Sequence, residues 1–214
     1  MTIAFFGKAG AGKDYAAQLL IDKFEALGVK AKRYAFADKL KDVAAIIANC
    51  NRKLFDDRDF KTYYVYDKEC GGIYDIRYPM PGGDFLTIRE FLQLLGTEAI
   101  QGTFGKNVWA NIVTEEIAED EFYGRVKVAV VTDVRFKHEY EALKREGCLF
   151  VKIEDPSIIS KDSHSSENEW EDCEADFLIV NDWANNNTNV DTVLQQIIER
   201  LGYSEVLPDS SQRT

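Results

Sequence analysis

Cationic charge is scarce in this chain. Lys and Arg number 26 against 37 Asp and Glu, a formal net charge of -11 over 214 residues. A broad nucleic-acid face needs clustered Lys and Arg, so no nucleic-acid polymer is expected as a partner. A single cationic pocket for a small anion is compatible with that balance. Long apolar runs are missing as well. No stretch approaches the roughly 18 residues that would suggest a membrane span. The apolar residues 3–6 are too few for a signal peptide and lead straight into a glycine-rich stretch. Cysteine occurs only as Cys50, Cys70, Cys148 and Cys173, without a C-x-x-C pair, and no Cys/His cluster has zinc spacing. The expectation is reduced, packing cysteines in a cytoplasmic chain. Repeats and low-complexity tracts are also missing.

What is there is an alternation of strands and helices. The length suits one domain with an insertion, and 45% hydrophobic residues suffice to bury a core. Residues 2–6 read as a buried strand. Ala16, Leu20, Phe24 and Leu27 recur at helical spacing, and Gly28 ends that helix. A strand is expected over 29–36 and a helix over 38–49 with Asp38 as its cap. Residues 50–83, rich in Tyr, Asp, Arg and Gly, read as an irregular insertion with a hairpin, either a substrate cover or a surface elaboration. Residues 86–95 read as an amphipathic helix. Ile88, Phe91, Leu92 and Leu95 form its apolar face, while Arg89, Gln93 and Thr97 fall at i, i+4 and i+8 on a polar one.

Further helices are expected over 107–120, 136–146 and 189–201, the last capped by Thr188 or Asn189. Strands are expected over 126–132, 148–153 and 176–180. The near-continuous apolar run 126–132 suits a central parallel strand buried on both faces. The polar tail 203–214 is expected to be mobile. The fold class is therefore α/β, a parallel sheet flanked by helices. A single domain is expected over 1–205, with an inserted substrate region over about 50–122.

The chemistry starts at residues 7–14, GKAGAGKD. Gly7, Gly12 and Lys13 match G-x-x-x-x-G-K at the first strand-to-helix junction, so the expected fold resembles that of P-loop nucleoside-triphosphate hydrolases. Glycines let backbone N–H groups turn inward around a phosphate, and the helix start adds a positive dipole end. Gly7, Lys8, Ala9, Gly10, Ala11, Gly12, Lys13, Asp14 and Tyr15 are thus the expected nucleotide cradle, with Lys13 neutralising the outer phosphates. Asp14 stands where Ser or Thr usually meets a magnesium ion. A carboxylate there can bind magnesium, take a proton from a substrate phosphate, or simply favour the helix dipole.

A second cluster, Asp133-Val134-Arg135, follows the strongest strand. Ligands of doubly wound sheets bind at the carboxyl ends of such strands. Asp133 could orient magnesium or an acceptor phosphate there, and Arg135 could bridge two phosphates; a structural ion pair is the plainer reading. Residues 163–167, SHSSE, could hold phosphate or cap a helix, and His138 reads as a surface residue. Tyr63, Tyr64, Tyr66 and Trp109 could stack on a base, with core packing the expected role of Trp109.

Four stretches taken together, GKAGAGKD, REFLQLLGTE at 89–98, VTDVRFKHEYEAL at 131–143 and DSHSSE at 162–167, resemble the deoxynucleoside monophosphate kinases of tailed bacteriophages. The resemblance implies transfer of the γ-phosphate of ATP to a deoxynucleoside monophosphate, with Mg2+. It implies that Lys13 binds phosphate, Asp14 is an acid needed for catalysis and Arg135 is a phosphate-bridging catalytic arginine. Arg89 and Gln93 would belong to the monophosphate site within the inserted region, and Glu167 would be a binding residue. Tyr15 departs from the family pattern, in which a small hydroxyl residue is common after GKD. Another small-molecule kinase, such as a dephospho-coenzyme A kinase, and a nucleotide-binding regulatory protein are the alternatives. A homodimer and the choice of base stay open.

Overall fold

In chain order the elements are β1 (Thr2–Gly7), α1 (Lys13–Ala26), β2 (Ala31–Tyr34), α2 (Phe36–Ile47), a 3-10 turn (Arg52–Asp56), α3 (Arg58–Tyr63), β3 (Tyr64–Asp67), β4 (Ile73–Asp75) and β5 (Phe85–Thr87). Then follow α4 (Ile88–Gln93), a π-helical stretch (Leu94–Gln101), α5 (Gly102–Phe104), α6 (Val108–Phe122), β6 (Val128–Val134), α7 (Lys137–Arg145), β7 (Leu149–Glu154), β8 (Phe177–Asp182), β9 (Asn187–Thr188) and α8 (Val190–Arg200). This computed structural model describes residues 1–78, 80, 82–158, 172–182 and 187–203. The expected SHSSE loop, including Glu167, and the tail beyond Tyr203 lie outside the described residues. The chain forms two compact units, Met1–Tyr34 with Ile117–Thr214, and Ala35–Glu116.

The first unit holds a sheet of order β2-β6-β1-β7-β8-β9. All its pairings are parallel except that of β8 with the short β9. Parallel neighbours need crossovers, and the helices between strands supply them. Ile3, Phe5, Val128, Val130, Val151 and Ile153 pack with Leu20 and Phe24 of α1 and Leu194 and Ile197 of α8. Each fully buried Leu or Phe contributes about 1.5–3 kcal/mol. On the other side Phe6 meets the Tyr140 ring of α7 edge-on at 6.1 Å, and Tyr140 lies 4.2 Å from Phe150. Both faces of the sheet are covered, which is why the β6 run is apolar almost throughout. The edge strand β2 is tied down by Asp120, which accepts hydrogen bonds from Lys32, Tyr34 and Arg125, each at 2.6 Å. Those donors, Lys32 first, hold the Asp120 carboxyl well below the usual carboxylate range.

The second unit is built around Ala44, Ala45, Ala48, Phe55, Phe60, Ile88, Phe91 and Leu95. It carries an antiparallel sheet of order β4-β3-β5. The β3–β4 pair is the hairpin expected within 50–83, and its turn is held by Asp67, which accepts from the Glu69 and Cys70 N–H groups. Tyr66 stacks on Phe91 at 4.1 Å, Tyr64 tilts against Phe60 at 5.0 Å, and Trp109 is buried. These rings belong to the packing of the unit.

Three expected helices begin or run differently. The stretch 86–95 is not one helix. Thr87 Oγ1 accepts from the Glu90 N–H, and the Glu90 carboxylate accepts from the Thr87 N–H, so this capping box starts α4 at Ile88 and leaves Phe85–Thr87 as a strand. After Gln93 the backbone widens to π-helical spacing, which takes Thr97 off the α-helical row of Arg89 and Gln93. The Trp109 indole N–H donates to the Gly96 carbonyl in this wider stretch at 3.2 Å. Asp38 does not cap α2, which begins at Phe36. It binds Arg52 instead, at 3.0 Å. Asn189 precedes α8 without capping it, because its side chain is taken by strand β8: it accepts from the Val180 N–H at 2.8 Å.

Candidate functional site

The glycine loop starts where β1 ends, deep in the first unit. Gly7 is paired with Ile153 of β7, and Phe6 with Val134 of β6. The loop therefore leaves the sheet beside the carboxyl ends of two neighbouring strands. Gly7 has φ +145°, and a Cβ there would stand 2.2 Å from the Ile153 carbonyl oxygen. Only glycine fits that approach. Gly10 and Gly12, at φ +83° and +95°, turn the chain through left-handed conformations before α1 begins at Lys13. The Ala11 N–H donates to the Lys8 carbonyl at 3.2 Å, closing the loop. Among the described residues no side chain caps the α1 N-terminus. An uncapped helix start with a glycine loop in front of it is an anion-binding arrangement.

The Lys13 ammonium lies over this loop. It donates to the Gly7 and Lys8 carbonyls, each at 2.7 Å. Lys8 and Lys13 are half-buried, while Ala9, Gly10, Asp14 and Tyr15 are exposed. Asp14 sits in the first turn of α1, as expected. From the far side the loop is held by Asn181 of β8, whose amide donates to the buried Ala11 carbonyl at 2.9 Å.

The second cluster sits on β6. Asp133 lies within the strand rather than after it. Ala4 pairs with Val131 and Phe6 with Val134, so Phe5 alone opposes both Thr132 and Asp133. This is a bulge in a parallel pair, a device that re-aims side chains at the end of a strand. Asp133 is half-buried and Arg135, just past the strand, is exposed.

Three side chains at this end of the sheet were not singled out by sequence reasoning. Glu139 is buried, and its Oε2 accepts from the Arg135 and Phe136 N–H groups at 2.8 and 3.0 Å. Burial pushes its carboxyl up to about 8, against the opposing pull of those two N–H donors. Thr132 Oγ1 and Asn181 Oδ1 are buried without a hydrogen-bond partner among the described residues. Such orphans are rare and gather where function or strain demands them. The available signals were a Glu three positions into a helix and a polar residue ending an apolar strand run.

Sequence-expected residues thus divide. The first unit brings the loop 7–15 together with Asp133 and Arg135 at one end of its sheet. Arg89 and Gln93 are exposed on α4 of the second unit. His138 is half-buried, not a plain surface residue, because its ring stacks on Phe136 at 5.3 Å. The four cysteines are free thiols, and burial pushes the Cys148 thiol up to about 12, away from nucleophilic chemistry. No helix among the described residues is long and apolar enough to cross a membrane.

A family profile described as deoxynucleotide monophosphate kinase matches residues 82–188, a stretch that contains Arg89, Gln93, Asp133 and Arg135. The chain is similar to the deoxynucleoside-5'-monophosphate kinase of Escherichia phage T5, 26% identical over 186 residues, 69% of this chain and 73% of that one. A protein of Acanthamoeba polyphaga mimivirus is 28% identical over 204 residues, covering 92% of this chain and 93% of its own. The deoxynucleotide monophosphate kinase of Enterobacteria phage T4 is 22% identical over 175 residues, 81% of this chain and 67% of that one.

Proposed function

The chain belongs to the deoxynucleotide monophosphate kinase family, and from that premise we propose that it moves the γ-phosphoryl group of ATP to the phosphate of a deoxynucleoside monophosphate, giving ADP and the deoxynucleoside diphosphate. One observation carries the reading of the site. The phosphate loop and the Asp133–Arg135 segment leave two paired parallel strands at the same end, β1 and β6, with Phe6 opposite Val134. In this reading a phosphate held on the loop would meet Arg135, which is exposed at the same end of the sheet.

Transfer between two phosphates requires their mutual repulsion to be screened before the acceptor oxygen can approach in line. In our reading the loop N–H groups and Lys13 hold the donor phosphates, and Arg135 lies across donor and acceptor. As the acceptor oxygen bonds to the γ-phosphorus, the bond to the β–γ bridging oxygen breaks, and that oxygen keeps the electron pair in ADP. Lys13 and Arg135 stabilise the charge that spreads over the phosphoryl oxygens. Asp14, exposed one residue after Lys13, serves either the metal or the acceptor. Arg89, Gln93 and Glu167, as the family resemblance implies, and Asp133 are each our candidates for contacting the monophosphate.

The donor set fits magnesium. Among the described residues no group of three or more His, Cys, Asp or Glu is assembled. Magnesium needs no such cage, since one or two carboxylates and the substrate phosphates suffice, and Asp14 and Asp133 are the carboxylates at hand. When bound, Mg2+ would supply charge neutralisation on the donor phosphates.

The test is the purified chain with ATP, Mg2+ and each of the eight common nucleoside monophosphates, with products separated by chromatography. Acceptor-dependent ADP, matched one to one by a deoxynucleoside diphosphate, is expected. Slow ATP hydrolysis indifferent to the acceptor would instead mark a regulatory protein.

A further inference from the structure

Arg135 leaves β6 at a point where the backbone needs help. β6 ends at Val134 and α7 begins at Lys137, so the N–H groups of Arg135 and Phe136 have neither a sheet partner nor an intrahelical one. The usual device is Ser, Thr or Asp at the residue before the helix. Here that residue is Phe136, which carries no acceptor. Glu139, three residues into α7, turns back and takes both N–H groups on one oxygen, Oε2. It does so at 4% exposure, in a place where a carboxyl is costly to bury and where no ion pair involves it among the described residues. An exposed cap from residue 136 would close a helix end at much lower cost. What Glu139 adds is a single fixed point for two successive peptides, one of which belongs to Arg135.

We propose that Glu139 is a positioning residue for phosphoryl transfer, holding the Arg135 backbone at the end of the β6 bulge so that its guanidinium is presented at a fixed angle to the phosphates. This rests on the reading of Arg135 as the bridging cation. An arginine side chain has four rotatable bonds, and displacement of the reacting groups by about 1 Å is enough to cost on the order of 100-fold in rate. The anchored peptide removes the backbone share of that freedom. The raised carboxyl pKa agrees with the geometry: a largely neutral side chain does not draw the guanidinium away from anionic substrates. Among the charged groups that act on it, Asp133 raises it and Arg135 lowers it.

Three variants separate positioning from general support. Glu139→Gln keeps a carbonyl oxygen for both N–H groups. Glu139→Met fills a similar volume with no acceptor. Arg135→Ala removes the group that is positioned. The expected results are kcat within about 3-fold of wild type for the Gln variant and a fall of about 10- to 100-fold for the Met variant, with KM for both nucleotides within about 3-fold. In the double variant Arg135→Ala/Glu139→Met, kcat should fall no further than in Arg135→Ala alone, because there is then nothing left to position. A Met variant with near-wild-type kcat overturns the inference, as does a double variant whose losses multiply. If the Met variant fails to fold, a Gln variant that folds but turns over as poorly as Arg135→Ala overturns it too, and a Gln variant that keeps kcat supports it. Arg135→Ala reports separately on the bridging reading: near-wild-type activity there overturns that reading, whereas an inactive Arg135→Ala beside a fully active Glu139→Met overturns only the role of Glu139.

Discussion

Lys13 closes the glycine loop: its ammonium donates to the Gly7 and Lys8 carbonyl oxygens, both at 2.7 Å. Under the proposed function the same charge would have two tasks, closing the loop and meeting phosphate. Charge-assisted bonds of this kind contribute about 1.5–3 kcal/mol each at most, less where water competes, as it does at this half-buried site. The structural part of a Lys13→Ala loss should therefore be modest, about 1–2 kcal/mol in urea unfolding. The loss in kcat/KM should be far larger, on the order of 1,000-fold, because the cation also stabilises the transferring phosphoryl group. Urea titration and steady-state kinetics on the same preparation check both. Activity within a few-fold of wild type would remove Lys13 from the phosphate site.

Gly7 tests the loop from the opposite side. A methyl group at this position would stand 2.2 Å from the Ile153 carbonyl oxygen, on a residue with φ +145°. Backbone cannot move aside as a flexible side chain can, so β1 and β7 would have to separate at the mouth of the site. Gly7→Ala should destabilise the chain by about 3–5 kcal/mol. Gly28→Ala, with nothing within 4 Å of the added Cβ, is the control for a positive-φ glycine with space, and it should cost only about 1–2 kcal/mol. Equal losses in the two variants would mean that the Ile153 contact contributes nothing.

Asp14 separates a dipole effect from a catalytic one by magnitude. An acid in the first turn of a helix contributes about 0.3–1 kcal/mol through the dipole, less than 10-fold in any rate or affinity. Asp14→Asn keeps the size of the side chain and removes the charge. If Asp14 serves the metal or the acceptor, kcat should fall about 100-fold or more while ATP affinity, measured by calorimetry without acceptor, stays within a few-fold. Equal losses in kcat and affinity point to simple binding.

These residues were not equally visible in the sequence. The loop GKAGAGKD is local: its glycines, its lysine and the strand and helix around it occupy one continuous stretch, so reading along the chain finds it. Arg135 was visible because it follows an apolar run that could only be a central strand. The Asn181–Ala11 bond joins residues 170 positions apart, and nothing local announces it. The β6 bulge arises from pairing with Phe5, and the widened helix after Gln93 is joined by the Trp109–Gly96 bond. Both are set by partners, not by periodicity. Glu139 is a middle case. Its position three residues into α7 is a capping signal, but reading it required knowing that Phe136 precedes the helix and that the carboxyl is buried.

Glu139 also makes a prediction that needs no substrate. Its carboxyl titrates near 8 in the folded chain, against an ordinary value of 4.5. Between those two values the folded state keeps a proton that the unfolded chain has released. Stability therefore falls as pH rises through this window, by up to about 1.4 kcal/mol per pH unit from this group, and levels off above the folded value. Carboxylates with depressed values act the other way. Asp120 is the clearest of them, but its contribution is already complete above the ordinary Asp range and does not change across this window. Glu139→Gln removes the titration and keeps the acceptor oxygen. In urea unfolding at pH 5.5 and pH 8 the wild type should lose more stability on going to the higher pH than the Gln variant, by an amount on the order of 3 kcal/mol. Parallel pH dependences in the two proteins would mean that the buried carboxyl titrates at its ordinary value, with the two backbone N–H donors outweighing its burial.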